Sequence, residues 1–204
     1  MHPESNRVAP TAAVKLGSTR PGLVWWTRRL VVAALLQGLV VADGRALTVF
    51  ELMTDPKLTP RSFAGKFERF EYEFDPEIQP AEIFLRRERG DCDDYAVLAD
   101  LVLKPKGYTT RIIHIRLVGR VAHAVCYVEE SKAYLDYNNR RYFWNLERSG
   151  SSLRAIANKV ADSFKGNWTS VSEFTYDYRE RKKDFTRTVI KTDPPSQDAD
   201  AGAK

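Results

Sequence analysis

"RERGDCDDYAVLADLVL", residues 87–103, sets one of the chain's two cysteines among three aspartates, directly after a glycine and directly before an apolar run. From Asp91 onward, Cys92, Tyr95, Ala96, Leu98, Ala99, Leu101 and Val102 recur at three- and four-residue intervals, the period of a helix with a buried face. Asp91 reads as the N-cap of that helix, and Pro105 with Gly107 as its stop. Cys92 therefore falls in the first turn, where unpaired backbone N–H groups and the positive end of the helix dipole favour a thiolate. The same geometry offers the Cys92 N–H as an oxyanion donor, because amides at a helix start have no intrahelical acceptor. Asp93 and Asp94, in that first turn, stabilise the helix through its dipole at some cost to the thiolate.

Beyond the helix, residues 109–118 (TTRIIHIRLV), 122–130 (AHAVCYVEE) and 132–139 (KAYLDYNN) are rich in β-branched and aromatic residues and joined by short polar links, as in an antiparallel meander. A helix over 151–164 and strands over 170–178 and 184–191 are expected to follow. Upstream, residues 48–76 carry Phe63, Phe67, Phe70, Tyr72 and Phe74 with three prolines, and read as an irregular or short-stranded lead-in packed onto the core by its aromatics. A short helix, started at Pro80 and ended by Gly90, is expected between this lead-in and Asp91.

A nucleophilic thiol needs a base within hydrogen-bond reach, and only His2, His114 and His123 are available. His2 lies in the N-terminal segment. His114 shares a strand face with Ile112 and Arg116 and reads as a packed or exposed strand residue. His123 opens a strand whose alternation sets His123, Val125 and Tyr127 against Ala124, Cys126 and Val128. Cys126 then faces away from His123, so a Cys92–Cys126 disulfide is disfavoured and Cys126 reads as a small buried apolar residue. The imidazole must in turn be oriented by an acceptor on its second nitrogen. Asp136, in the middle of the next predicted strand and amid aromatic and apolar residues, is placed to neighbour His123 on one sheet face. Asn138 and Asn139 are alternatives at worse reach or on the wrong face. Taken singly, a helical cysteine or a strand histidine is usually structural.

Charge and length bound the rest. The 204 residues suffice for one domain plus appendages, and a 43% hydrophobic content is ordinary for a globular core. The formal charge of +5 is concentrated in residues 1–46, which hold six basic and two acidic residues and leave 26 basic against 25 acidic in the remainder. That partition undercuts a nucleic-acid partner. Leu30 to Ala42 is an uncharged apolar run of 13 residues behind Arg28 and Arg29, too short to span a bilayer and read as a secretory signal. Cleavage is expected after Gly44 or Ala46; the plainer alternative is a buried core helix, and the lead before Arg28 is long for a signal. The chain is thus expected to comprise an N-terminal signal-bearing segment, 1–46, one domain, 47–191, and a disordered Pro- and Asp-rich tail, 192–204.

"GDCDDYAVLADLVLKPKGY", "HAVCYV" and "YLDYNN" together resemble the transglutaminase-like superfamily of papain-like thiol enzymes, and most nearly its bacterial cysteine proteinases, many of them exported. The resemblance covers Gly90 to Asn139. It implies an α+β papain-like core in which a helix carrying the cysteine packs on an antiparallel sheet. It also implies Cys92 as nucleophile, His123 as general base and then acid, and Asp136 as the residue orienting His123. The reaction would be attack on an amide or ester carbonyl of a protein or peptide, with a thioester released to water or to an amine. Some relatives bind calcium through acidic residues beside the cysteine, which would make Asp91 and Asp93 ligands here; no other cofactor is implied. The second oxyanion donor has only candidates: Tyr72, Gln79 or a lead-in aromatic. A periplasmic or extracellular location is expected, with contact to a membrane only through the signal segment. A non-catalytic envelope domain retaining the fold is the competing expectation, and an obstructed pocket would be its sign.

Overall fold

A computed structural model describes residues 46–142 and 146–192; the expected signal run and the tail beyond 192 lie outside the described residues. The lead-in is more helical than its proline content implies. Helices α1 (Val49–Thr54) and α2 (Pro60–Gly65) each start with a reciprocal capping box, Thr48 with Glu51 and Thr59 with Ser62. The Thr-x-x-Glu spacing is a local start signal that outweighs punctuation by proline, since Pro60 occupies the first helical turn, where its missing N–H costs nothing. Phe63, Phe67 and Phe70 are buried as expected, whereas Tyr72 and Phe74 are exposed.

Strand β1 (Glu71–Tyr72) precedes helix α3 (Ala81–Arg87), which begins at Pro80. Its left-handed terminator is Glu88 at φ 51°, not Gly90. Gly90 belongs instead to strand β2 (Arg89–Gly90), which pairs parallel with β1, Tyr72 opposite Gly90. Helix α4 (Cys92–Leu103) follows immediately, extended by a 3-10 turn at Lys104–Lys106 and stopped at Gly107, whose φ of 90° suits glycine.

The six-stranded antiparallel sheet consists of β3 (Thr110–Leu117), β4 (His123–Val128), β5 (Ala133–Leu135), β6 (Glu147–Arg148), β7 (Trp168–Asp177) and β8 (Lys182–Ile190). Its order is β6-β5-β4-β3-β7-β8. Helix α5 (Leu153–Ser163) starts at the Ser152 cap. Strand alternation divides the core. Ile112, Cys126, Leu135 and Phe174, aligned across four strands, pack with α4, while Ile113, Val125, Tyr134 and Val171 pack with α5. The fold is α+β, with the cysteine-bearing helix packed on an antiparallel sheet, as expected from the sequence.

The third strand of the meander is shorter than its composition implies. It ends at Leu135, and residues Tyr137–Tyr142 form a 3-10 segment. Asp136 thus sits just past a strand end, not mid-strand. Both cysteines are free. The reason differs from the one expected: Cys92 and Cys126 share the α4-side cluster. Cys126 is mid-strand, locked between Ile112 and Leu135, while Cys92 lies at the helix start.

Candidate active site

The start of α4 is built by its three carboxylates, each engaged in a different task. Asp91 Oδ1 accepts from the N–H groups of Asp93 (2.9 Å) and Asp94 (3.4 Å), and its Oδ2 from Asp75 N (3.3 Å). Burial, and next the Asp94 carboxylate, push Asp91 up to about 6. Asp94 returns the capping bond to Asp91 N (3.1 Å) and accepts from both the backbone (2.7 Å) and side-chain amide (2.9 Å) of Gln79. Asp93 pairs with Lys183 of β8. With two carboxylates satisfied by N–H donors and the third by an ammonium, the cost they impose on a neighbouring thiolate is reduced. The N–H of Cys92 is left out of this capping scheme.

Gly90 is required by the same packing. A Cβ there would lie 2.4 Å from Asp94 Oδ2 and 2.6 Å from the Phe84 ring. Glu73 N donates to Gly90 O at 2.8 Å, which continues the β1–β2 pairing and holds Tyr72 beside the start of α4.

His123, the first residue of β4, lies at the end of the sheet where α4 begins. Its Nε2 meets Asp136 Oδ1 at 3.0 Å, both side chains being buried. That leaves Nδ1 free to serve Cys92, which borders the same cleft and acts electrostatically on the imidazole. Burial opposes protonation of the imidazole, but the Asp136 carboxylate and then Cys92 outweigh it and hold His123 well above the ordinary histidine range. Asp136 Oδ1 also accepts from Asn138 N (2.8 Å), which fixes the carboxylate. The Phe164 ring, just past α5, meets the imidazole edge-on at 5.0 Å and restrains it from the other side.

The segment after Asp136 is latched to the lead-in. Tyr137 Oη donates to Glu71 O (2.7 Å), and the buried Arg140 donates to Phe70 O (2.6 Å) and Tyr137 O (2.9 Å). These bonds tie the residue orienting His123 to the strand that carries Tyr72. Sequence reading does not find them, because Arg140 and its acceptors lie up to 70 residues apart and the acceptors are backbone carbonyls.

Cys92 and His123 open onto a cleft of about 450 Å³, bordered also by Tyr72, Arg120, Val121 and Phe164. Among the candidates for the second oxyanion donor, Gln79 is committed to Asp94, Arg89 O and Arg87. Tyr72 lines the cleft. Burial first, and then Cys92, raise its phenol, which keeps it a donor. His114 packs against the rings of Phe174 (6.4 Å) and Phe185 (5.8 Å), a packed strand histidine; burial lowers its basicity.

The expected calcium ligands do not fit a calcium ion as arranged. Asp91 spends both oxygens on backbone N–H groups, and Asp93 already holds an ammonium. Of the oxygens of Asp91 and Asp93, only Asp93 Oδ1 is buried without a partner, far short of the six to eight oxygens calcium takes. Among the described residues, no three His, Cys, Asp or Glu side chains group so as to hold a metal, and no helix is long and apolar enough to cross a membrane.

No family model and no curated protein matches the chain. Among solved structures it is similar to Legionella pneumophila LapG in a calcium-bound form, with a TM-score of 0.41 and 19% identity over 60% of this chain and 68% of that one. An EGTA-treated form of LapG gives a TM-score of 0.41 and 16% identity over 68% of this chain and 76% of that one.

Proposed function

We propose that this chain is a thiol hydrolase of the transglutaminase-like type, a cysteine peptidase or amidase whose nucleophile is Cys92, with His123 as base and then acid and Asp136 orienting it. The observation that carries the reading is the buried His123–Asp136 hydrogen bond, 3.0 Å long, with His123 and the helix-start Cys92 bordering one open cleft. An open cleft also speaks against the non-catalytic alternative.

The Cys92 sulfur bonds the substrate carbonyl carbon, its proton having passed to His123 Nδ1. Negative charge gathers on the carbonyl oxygen, where the Cys92 N–H and the Tyr72 hydroxyl are the available donors. The C–N bond then breaks as His123 returns the proton to the leaving amine, which leaves a thioester. Water, deprotonated by His123, attacks the thioester, and the acid departs as the sulfur recovers a proton. An amine in place of that water would make the reaction acyl transfer. Asp136, hydrogen-bonded to Nε2, orients the ring and compensates the imidazolium. The apolar run at 30–42 supports an exported site of action on a protein or peptide substrate. No step is routed through calcium.

The test is intact-mass labelling of the full chain with iodoacetamide at neutral pH, comparing wild type, Cys92→Ala and His123→Ala. Fast single labelling that disappears in the first variant and slows at least tenfold in the second is the expected result. Slow labelling indifferent to His123 would make Cys92 a structural cysteine and end the proposal.

A further inference from the structure

Arg120 is the only cation other than His123 on the described walls of the cleft; Leu117, Val121, Ala122 and Phe164 are apolar, and Asn138 is neutral. Its guanidinium lies over the Phe164 ring at 5.5 Å, and one Nη2 bond at 3.5 Å reaches Phe164 O. Phe164 is the ring that meets His123. Arg120 is exposed and has no carboxylate partner among the described residues, unlike Arg87, Arg111 or Arg181. A stacked arginine with most of its five donors free is pre-organised to grip a carboxylate through two parallel hydrogen bonds. Nothing acidic on the cleft wall competes for it, because Asp91, Asp93 and Asp94 are held by the loop, Lys183 and Gln79. Resting on the thiol-hydrolase reading, we infer that Arg120 is a specificity determinant, and that the substrate is a largely apolar peptide bearing a carboxylate beside the bond that Cys92 attacks.

Two alkylating agents of equal shape, iodoacetate and iodoacetamide, differ in the carboxylate alone and report on Cys92 without knowledge of the substrate. Using the full chain, the ratio of iodoacetate to iodoacetamide rate at Cys92 should fall about fivefold in Arg120→Gln, from the loss of one nearby cation in a low-dielectric cleft. Arg116→Gln, which removes a cation that does not border the cleft, should leave the ratio within twofold of wild type. Protection of Cys92 by short amidated Ala/Val peptides containing Glu or Gln, and by the Gln peptide with a free C-terminus, then separates a side-chain carboxylate from a chain end. Protection that requires either carboxylate and is lost in Arg120→Gln supports the inference. An unchanged ratio in Arg120→Gln, or equal protection by all three peptides, overturns it while leaving the thiol reading intact. Failure of Cys92 to react faster than in His123→Ala overturns both.

Discussion

Gly90→Ala places a methyl group between the Asp94 carboxylate and the Phe84 ring, at 2.4 Å from Oδ2 and 2.6 and 2.7 Å from two ring carbons. Phe84 cannot retreat: it is fully buried and packed against Phe67, Phe70 and Tyr137. The carboxylate must therefore give way by roughly 1 Å to restore ordinary contact, which stretches its bonds from Gln79 Nε2 (2.9 Å) and Asp91 N (3.1 Å) past useful length. Two hydrogen bonds to a buried charge, at about 1.5 kcal/mol each, plus overpacking of about 1 kcal/mol, give a loss of ~4 kcal/mol. For a domain of this size that lowers Tm by about 10 °C. Gly107→Ala is the control. It forces alanine to a φ of 90° but meets no atom within 4 Å, so it should cost only ~1–2 kcal/mol of backbone strain. Urea unfolding followed by far-UV circular dichroism measures both. If Gly90→Ala lies within about 1 kcal/mol of wild type, or costs less than Gly107→Ala, the packing account of the helix start is wrong.

Asp136→Asn removes the main charge that keeps His123 protonated, so the imidazole should lose its proton at lower pH than in wild type; histidine NMR titration reads this directly, and an unmoved titration refutes it. The wild-type linkage has a matching sign: stability from the His123–Asp136 pair is fully present below the ordinary histidine value and lost as pH rises through the raised folded one. Asp91, raised to about 6, behaves likewise, its folded form favouring the proton, so this contribution is present near pH 4 and lost as pH rises through 6. Asp91→Asn removes the charge and keeps one oxygen for the Asp93 and Asp94 N–H groups, but its amide nitrogen cannot accept from Asp75 N. Its stability relative to wild type should therefore start lower and rise between pH 4 and 7, by about 1–2 kcal/mol after solvent screening, in paired urea titrations. Because Lys183 already balances Asp93, EGTA should leave both Tm and the iodoacetamide rate unchanged, whereas Lys183→Met should destabilise by ~1–2 kcal/mol. A Tm drop in EGTA would show that calcium binds despite the commitments of these carboxylates.

Local signals in the chain were sufficient for the elements that bear the candidate site. The spacing of apolar residues after Asp91 defines α4 and puts Cys92 in its first turn, because capping and helical period are matters of a few neighbouring residues. Alternation likewise defines β3 and β4 and the face on which His123 lies. The lead-in is helical where irregular or short-stranded structure is expected for a local reason: its capping boxes outweigh its prolines. Tertiary structure alone decided the rest. That Asp136 falls past a strand end, that Arg140 and Tyr137 fasten it to residues 70 and 71, and that Gln79 serves Asp94 instead of the cleft all depend on contacts between distant segments. The same holds for Lys183, 90 residues from the aspartate it neutralises, and for Arg120, whose place on the cleft wall is set by Phe164. Such pairings leave no periodicity in sequence. A side chain's partner across the fold is fixed by the geometry of packed elements, whereas its place on its own helix or strand is fixed by the repeat of the backbone.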